Sequence, residues 1–379
     1  MKAKSTFSLK DQLFNPEKVN YLANLFVAAH PEFPADTFQQ TVVRAFPQLE
    51  LKERIAHIAA CLHACLPQDY PTALAIILRA LPPQLDPTKT DDDFGDFIIS
   101  PLNHYVAVYG CSAENLTLSL NALREITKRF SAEDAIRAFI NAFPDETMAF
   151  LRNCSADDNY HVRRLASEGT RAKLPWAQKL TIHYRAPLPI LDALYADNTR
   201  YVTRSVANHL NDISKLDPDL VVQTLTRWQQ RGQQTEKEMA FIAKHSLRTL
   251  VKRGNQDALA LLGFGATPEV TISDFNTSTP LVTIGEAFQF SLTIQSHKAQ
   301  NVMIDYVMLF ASDGKKKQGR KVFKLKQLEL AAGQVIKIKK KHPMRLMTTR
   351  RLYEGQHEIT LQLNGQAFGS LSFDLRAAP

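Results

Sequence analysis

Up to about Leu262, apolar residues recur at intervals of three and four, the spacing of one face of a helix. In residues 16–30 the stripe is Val19, Leu22, Leu25 and Phe26, and Pro16 suits a first helical turn. Similar stripes follow in Phe38, Val42 and Phe46, in Ile55, Ile58, Ala59 and Leu62, and in Ala73, Ile76, Ile77 and Leu81. Pro31, Pro34, Pro67, Pro71, Pro82, Pro83 and Pro87 separate them, where a helix must end. After Gly263 the period drops to two. Seven runs rich in Val, Ile, Thr and Phe, among them NVMIDYVMLFAS, KVFKLKQLELAAG and HEITLQLNG, are separated by Gly, Asn, Asp and Ser. That texture predicts an immunoglobulin-type β-sandwich without an inter-sheet disulfide, because this region has no cysteine. The predicted architecture is a helical domain over 1–264 and an all-β domain over 265–379.

An internal repeat sharpens the helical half. SADDNYHVRR (155–164) and YADNTRYVTR (195–204) align without a gap at an offset of 40 residues. Ala156 matches Ala196, Asp157 matches Asp197, Val162 matches Val202 and Arg164 matches Arg204. A weaker third copy places Ile242 and Lys244 at the apolar and basic positions. A period near 40 with two helices per unit predicts a HEAT-like α-solenoid whose second helices line a concave groove.

Charge adds a partner class. The chain carries a formal charge of +8, and residues 266–379 hold 16 Lys and Arg against 9 Asp and Glu, leaving the rest nearly balanced. Such asymmetry points to a polyanion, either nucleic acid or an anionic membrane surface. No apolar run approaches the length needed to span a bilayer, and no secretory signal is evident, so the expected location is the bacterial cytoplasm. Four cysteines suit a reducing compartment. Cys61, Cys65 and His57 share a helical face but lack a second ligand pair, so they read as packing, and no metal or cofactor is expected.

The second helices of the repeats hold the candidate chemistry. Arg164, Arg204 and Lys244 occupy one register, and Glu168, Asn208 and Arg248 follow four residues later on the same face. Arg171, Asn211, Asp212 and His245 extend the stripe. One reading is the solvated face that every solenoid has; the other is a groove that tracks phosphates. Glu168 stands out because a carboxylate in a basic groove weakens DNA binding unless it has another task. Glu133 has a competing structural role near Ser131, a candidate N-cap, since acidic residues favour a first turn. Trp176 is read either as core or as an aromatic that stacks on a base or sugar. In the β half, Lys315, Lys316, Lys317, Arg350 and Arg351 lie in basic segments that either protect sheet edges or form a second DNA clamp.

The stretches DDNYHVRRLASEGTRAKLPWA (157–177), DNTRYVTRSVANHLNDISKLDPD (197–219) and FGDFIISPLNHYVAVYG (94–110) resemble the AlkC branch of the HEAT-like alkylpurine DNA glycosylases. The resemblance extends over residues 1–262, and the β-rich remainder is similar to the immunoglobulin-like domain of some members. It implies a monofunctional enzyme of base excision repair. Its substrates would be cationic lesions in duplex DNA, chiefly 3-methyladenine with 3-methylcytosine as a further candidate, taken without extruding the base. It also implies Glu133, Glu168 and Trp176 as active-site residues, and a monomer that needs no protein partner. The competing expectations are a non-enzymatic HEAT scaffold for a protein partner and a DNA-binding protein without catalysis.

Overall fold

The computed structural model describes residues 8–89, 91, 94–312, 319–346 and 351–377. Helices run to Leu261 and strands begin at Val270, as the change of period predicts. The chain opens with α1 (Leu9–Leu13), α2 (Pro16–Ala29), α3 (Ala35–Ala45), α4 (Leu51–Cys65) and α5 (Tyr70–Arg79). Next come α6 (Ser100–Tyr109), α7 (Leu116–Ile126), α8 (Ile136–Ala142), α9 (Pro144–Cys154) and α10 (Tyr160–Glu168). The run closes with α11 (Leu188–Leu194), α12 (Arg200–Ile213), α13 (Pro218–Arg231), α14 (Glu236–Ser246), α15 (Arg248–Lys252) and α16 (Gln256–Leu261). Two compact units result. One comprises Met1–Leu216 with Arg231–Ser246, the other Asp217–Gln230 with Leu247–Pro379.

In the first unit α10, α12 and α14 pack against one another in series. Their matched apolar residues Val162, Val202 and Ile242 are fully buried, so the 40-residue register is a packing register. The repeated aspartates explain the rest of the motif. Asp157 accepts the Asn159 amide at 2.9 Å and the Arg124 guanidinium at 2.6 Å. Asp197 accepts the Thr199 amide at 2.8 Å and Arg163 at 2.5 Å. Each aspartate therefore closes its own turn and ties it to an arginine from the preceding unit. The third copy is irregular: α14 starts 36 residues after α12, and the helix breaks at Leu247.

The second unit carries β1 (Val270–Thr277), β2 (Leu281–Thr283), β3 (Ala287–Ser296), β4 (Gln300–Phe310), β5 (Gly319–Leu330), β6 (Val335–Pro343), β7 (Gly355–Leu363) and β8 (Gln366–Arg376). They form a three-stranded sheet, β1-β3-β6, and a five-stranded sheet, β2-β8-β7-β4-β5. Alternate residues of β3 (Phe288, Phe290, Leu292, Ile294) pack against Ile304, Tyr306 and Met308 of β4, Ile359 and Leu361 of β7, and Phe373 of β8. Among the described residues eight strands replace the expected seven, because the run 281–295 divides at Gly285, whose φ of +109° breaks the ladder. The described parts of the basic segments are mostly strands: β5 and β6 are the exposed edges of the two sheets. Edge lysines shield such strands from pairing with other chains.

Candidate active site

Glu168 ends α10 and is 4% exposed, wedged against α12. Arg171 Nη1 donates to its Oε1 at 2.6 Å, Ser205 Oγ donates to its Oε2 at 2.6 Å, and Arg164 Nη2 lies 3.7 Å from Oε1. Burial opposes the charge, but Arg164 and Arg171, with the hydrogen bonds from Ser205 and Arg171, outweigh it and hold the carboxyl below its ordinary range. The expectation of a carboxylate lying open in a trough is thereby corrected. A buried anion needs such partners, and they enclose it.

Arg164 is buried as well, which corrects its expected role as a free phosphate contact. Its Nη1 donates to Glu133 Oε2 at 2.7 Å and to Ser131 Oγ at 2.9 Å, and its guanidinium lies 4.5 Å from the Tyr201 ring centroid. Glu133 is half-buried, and Ser131 also donates to Oε2, at 2.9 Å. Among the described residues Oε1 of Glu133 has no hydrogen-bond partner. Ser131 is not an N-cap: α8 starts only at Ile136, and the hydroxyl turns to Glu133.

Arg171, Asn211 and Asp212 are buried too, so they are not the open polar stripe the spacing suggested. Arg171 Nε donates to Asp212 Oδ2 at 2.9 Å, and Lys215 Nζ donates to Asp212 Oδ1 at 2.9 Å. Three carboxylates (Glu133, Glu168, Asp212) thus interleave with three cations (Arg164, Arg171, Lys215). His209 touches this network through the Ser167 carbonyl at 3.1 Å, and burial, reinforced by Arg171, pushes its pKa down to about 4.

The chain between Glu168 and Leu188 contains no helix or strand. Arg137, buried in α8, holds it by donating to the carbonyls of Gln178 (2.7 Å), Gly169 (3.1 Å) and Arg171 (2.9 Å). Asn141 of the same helix bonds the Lys179 carbonyl and the Thr181 amide, each at 2.9 Å. Trp176 projects from this loop with 78% of its surface exposed and a φ of +63°. It is not a core residue. A non-glycine residue in the left-handed region costs on the order of 1 kcal/mol or more, and such strain concentrates at functional sites. Lys52 of α4 donates to its carbonyl.

Two hollows meet at this point. The larger, about 690 Å³, is lined by Leu51, Ile55, Glu133, Leu174 and Trp176 among others; the smaller, about 250 Å³, by Tyr201, Arg204, Ser205 and Asn208. Phe94, Arg164 and Glu168 border both.

Of the remaining predicted residues, Arg204 and Asn208 line the smaller hollow, and the other described ones border neither. Arg204 is half-exposed and ion-pairs with Asp91. Asn208 Oδ1 accepts from His245 Nε2 at 2.9 Å, and Lys244 is exposed. Arg248 starts the separate helix α15, so it does not continue the face of Lys244. Lys315, Lys316, Lys317 and Arg350 lie outside the described residues, and Arg351 is exposed with its guanidinium 5.4 Å from the Tyr353 ring. Phe94, Arg137 and Ser205 belong to the site and were not singled out. Ser205 sits one residue after the matched Arg204, and only its pairing across two repeats reveals it.

A family model described as "Uncharacterised protein YhaZ, C-terminal Ig-like domain" matches residues 271–377. The YhaZ protein of Bacillus subtilis (strain 168) is 32% identical over 368 residues, which cover 96% of this chain and 98% of that protein. The alkylpurine DNA glycosylase AlkC of Pseudomonas fluorescens, solved bound to DNA containing an abasic site analog, is 36% identical with a TM-score of 0.87, covering 98% of this chain and 100% of that one. With similarity of this extent running through both the helical and the β-rich parts, the chain belongs to the family of the AlkC alkylpurine DNA glycosylase.

Proposed function

We propose that this protein is a monofunctional DNA glycosylase that releases cationic N3-alkylated bases, chiefly 3-methyladenine, from duplex DNA. Family membership supports alkylpurine excision, and the fixed carboxylates of the site support a transition state in which positive charge moves to the sugar. The observation that carries the reading is the pair Glu168 and Glu133 held on either side of Arg164, bordering the cleft from which Trp176 projects.

The chemistry follows from the charge of the lesion. Alkylation at N3 makes the base a cation. When the bond from C1′ to the base nitrogen breaks, its electron pair neutralises the base, and positive charge moves to the deoxyribose as an oxocarbenium. Glu168 has its carboxyl held below the ordinary range by Arg164 and Arg171 and its oxygens already engaged, so its contribution is electrostatic and preorganised. Glu133 has an unengaged oxygen, which orients the water that attacks C1′; the proton of that water leaves to Glu133 or to solvent. Trp176 would pack on the sugar or base from the cleft side. No lysine nucleophile, metal or cofactor enters this scheme.

The resemblance implies excision without base extrusion, but a cleft of about 690 Å³ has room for a base. Fluorescence of 2-aminopurine opposite or beside a lesion analogue separates the two. The basic strands β5 and β6 would supply phosphate contacts in the β half. The same reading has a monomer acting alone in the cytoplasm on nucleoid DNA, which sedimentation with and without duplex tests. For the activity itself, methylated genomic DNA is incubated with the protein and the freed bases are separated by chromatography. Release of 3-methyladenine above the buffer control supports the proposal; release of no base ends it.

A further inference from the structure

Within the ion network around Glu168 each carboxylate is matched by a guanidinium or ammonium group, three against three. Such a site provides fixed charges for a transition state but little net attraction for a cationic base over a neutral one. Discrimination in the ground state calls for an electron-rich surface outside that paired network.

Phe94 is such a surface. It is a large apolar residue 42% exposed, and with Arg164 and Glu168 it forms the border between the two hollows. It is also held in place. Ser131 N donates to the Phe94 carbonyl at 3.0 Å, and Gly95 bridges to Phe130 in antiparallel fashion. Gly95 has a φ of +89°, and a Cβ there would lie 1.9 Å from the Arg129 carbonyl oxygen, so only glycine permits this approach. The ring meets Phe97 at 89° and Phe130 at 79°, edge-to-face contacts with centroids 5.5 and 6.1 Å apart. The segment that locks Phe94 is the one that carries Ser131 and Glu133. An exposed aromatic fixed by backbone to a catalytic strand of chain is a built feature of the site.

We propose that Phe94 is a specificity-determining residue whose ring forms a π wall of the cleft against the alkylated base and favours its cationic form. A ring face attracts a cation through its quadrupole, more strongly when water is excluded. This inference rests on the proposed glycosylase function and adds the residue that reads the charge of the base.

The test uses the full-length protein and single-turnover release of 3-methyladenine from methylated duplex, with affinity for undamaged duplex and melting temperature measured alongside. Phe94→Leu keeps the bulk but removes the π face, and is expected to slow release about tenfold. Phe94→Tyr keeps the face and is expected to stay within about threefold of wild type. Affinity for undamaged duplex is expected to be unchanged in both. Wild-type release by Phe94→Leu overturns the inference, and so does equal impairment of Phe94→Leu and Phe94→Tyr, which would show that the side chain serves shape alone. A wild-type protein that frees no base removes the proposed function and this inference with it.

Discussion

Glu168 keeps its charge inside the protein because Arg164, Arg171 and Ser205 replace the water it gave up. Arg171 is the joint of that arrangement, since it serves Glu168 and Asp212 together. Replacing it by methionine leaves two buried carboxylates short of a cation. Arg171→Met is therefore expected to lower stability by about 3–5 kcal/mol, read from the midpoint of urea unfolding at constant slope. His209 gives the same region a pH dependence. The unfolded chain takes up a proton near the ordinary value of 6.5, whereas the folded side chain refuses it until about 4. Its contribution is complete above about pH 7 and is lost as pH falls from 6.5 toward 4. The melting temperature should fall across that window, and the fall should be shallower in His209→Asn; equal slopes for the two proteins would remove His209 as the cause.

At the scale of elements, α8 organises the site without touching the carboxylates. Arg137 holds the loop bearing Trp176 through three carbonyls that burial would otherwise leave without donors. Arg137→Met is expected to destabilise the protein by roughly 3 kcal/mol and to reduce base release, whereas Trp176→Ala, at an exposed position, should leave the melting temperature nearly unchanged. These elements also show what the sequence made legible. The repeat could be read because Asp157 and Asp197 perform the same capping and pairing task at the same register. The third copy was faint because α14 starts four residues early and breaks at Leu247. The polar stripe of Arg164, Glu168, Arg171 and Asp212 was visible, but its burial was not. Helical spacing records that a face is polar, and a polar face looks the same whether it meets water or the polar face of the next repeat. Arg137 and Phe94 escaped because their roles depend on long-range carbonyl contacts and on Gly95 approaching Arg129, neither of which has a periodic signature.

At the scale of the molecule, most of the excess positive charge lies in residues 266–379. On β6, Lys337, Lys339 and Lys341 alternate with inward residues and are exposed along an edge strand. If these lysines meet phosphates, each contributes a slope of about 0.9 to the dependence of log affinity on log salt. The triple glutamine variant is then expected to reduce the slope by roughly 2–3 in a duplex titration between low and moderate salt. An unchanged slope would leave them as guards of a sheet edge. Asp305 of β4 gives this unit a pH response of the opposite sign. Burial raises its pKa to about 6, so its neutral form is favoured in the fold and stability declines as pH rises from about 4 to 6. Asp305→Asn should therefore raise the melting temperature at pH 8 relative to wild type and change it little at pH 4.

The most direct measurement is single-turnover release of 3-methyladenine by Glu168→Gln at saturating protein, with affinity for the same duplex measured in parallel. An anion fixed beside the developing oxocarbenium predicts a loss of about 10²- to 10³-fold in the release rate with affinity retained. Release at the wild-type rate by a folded, DNA-binding Glu168→Gln protein would contradict the account.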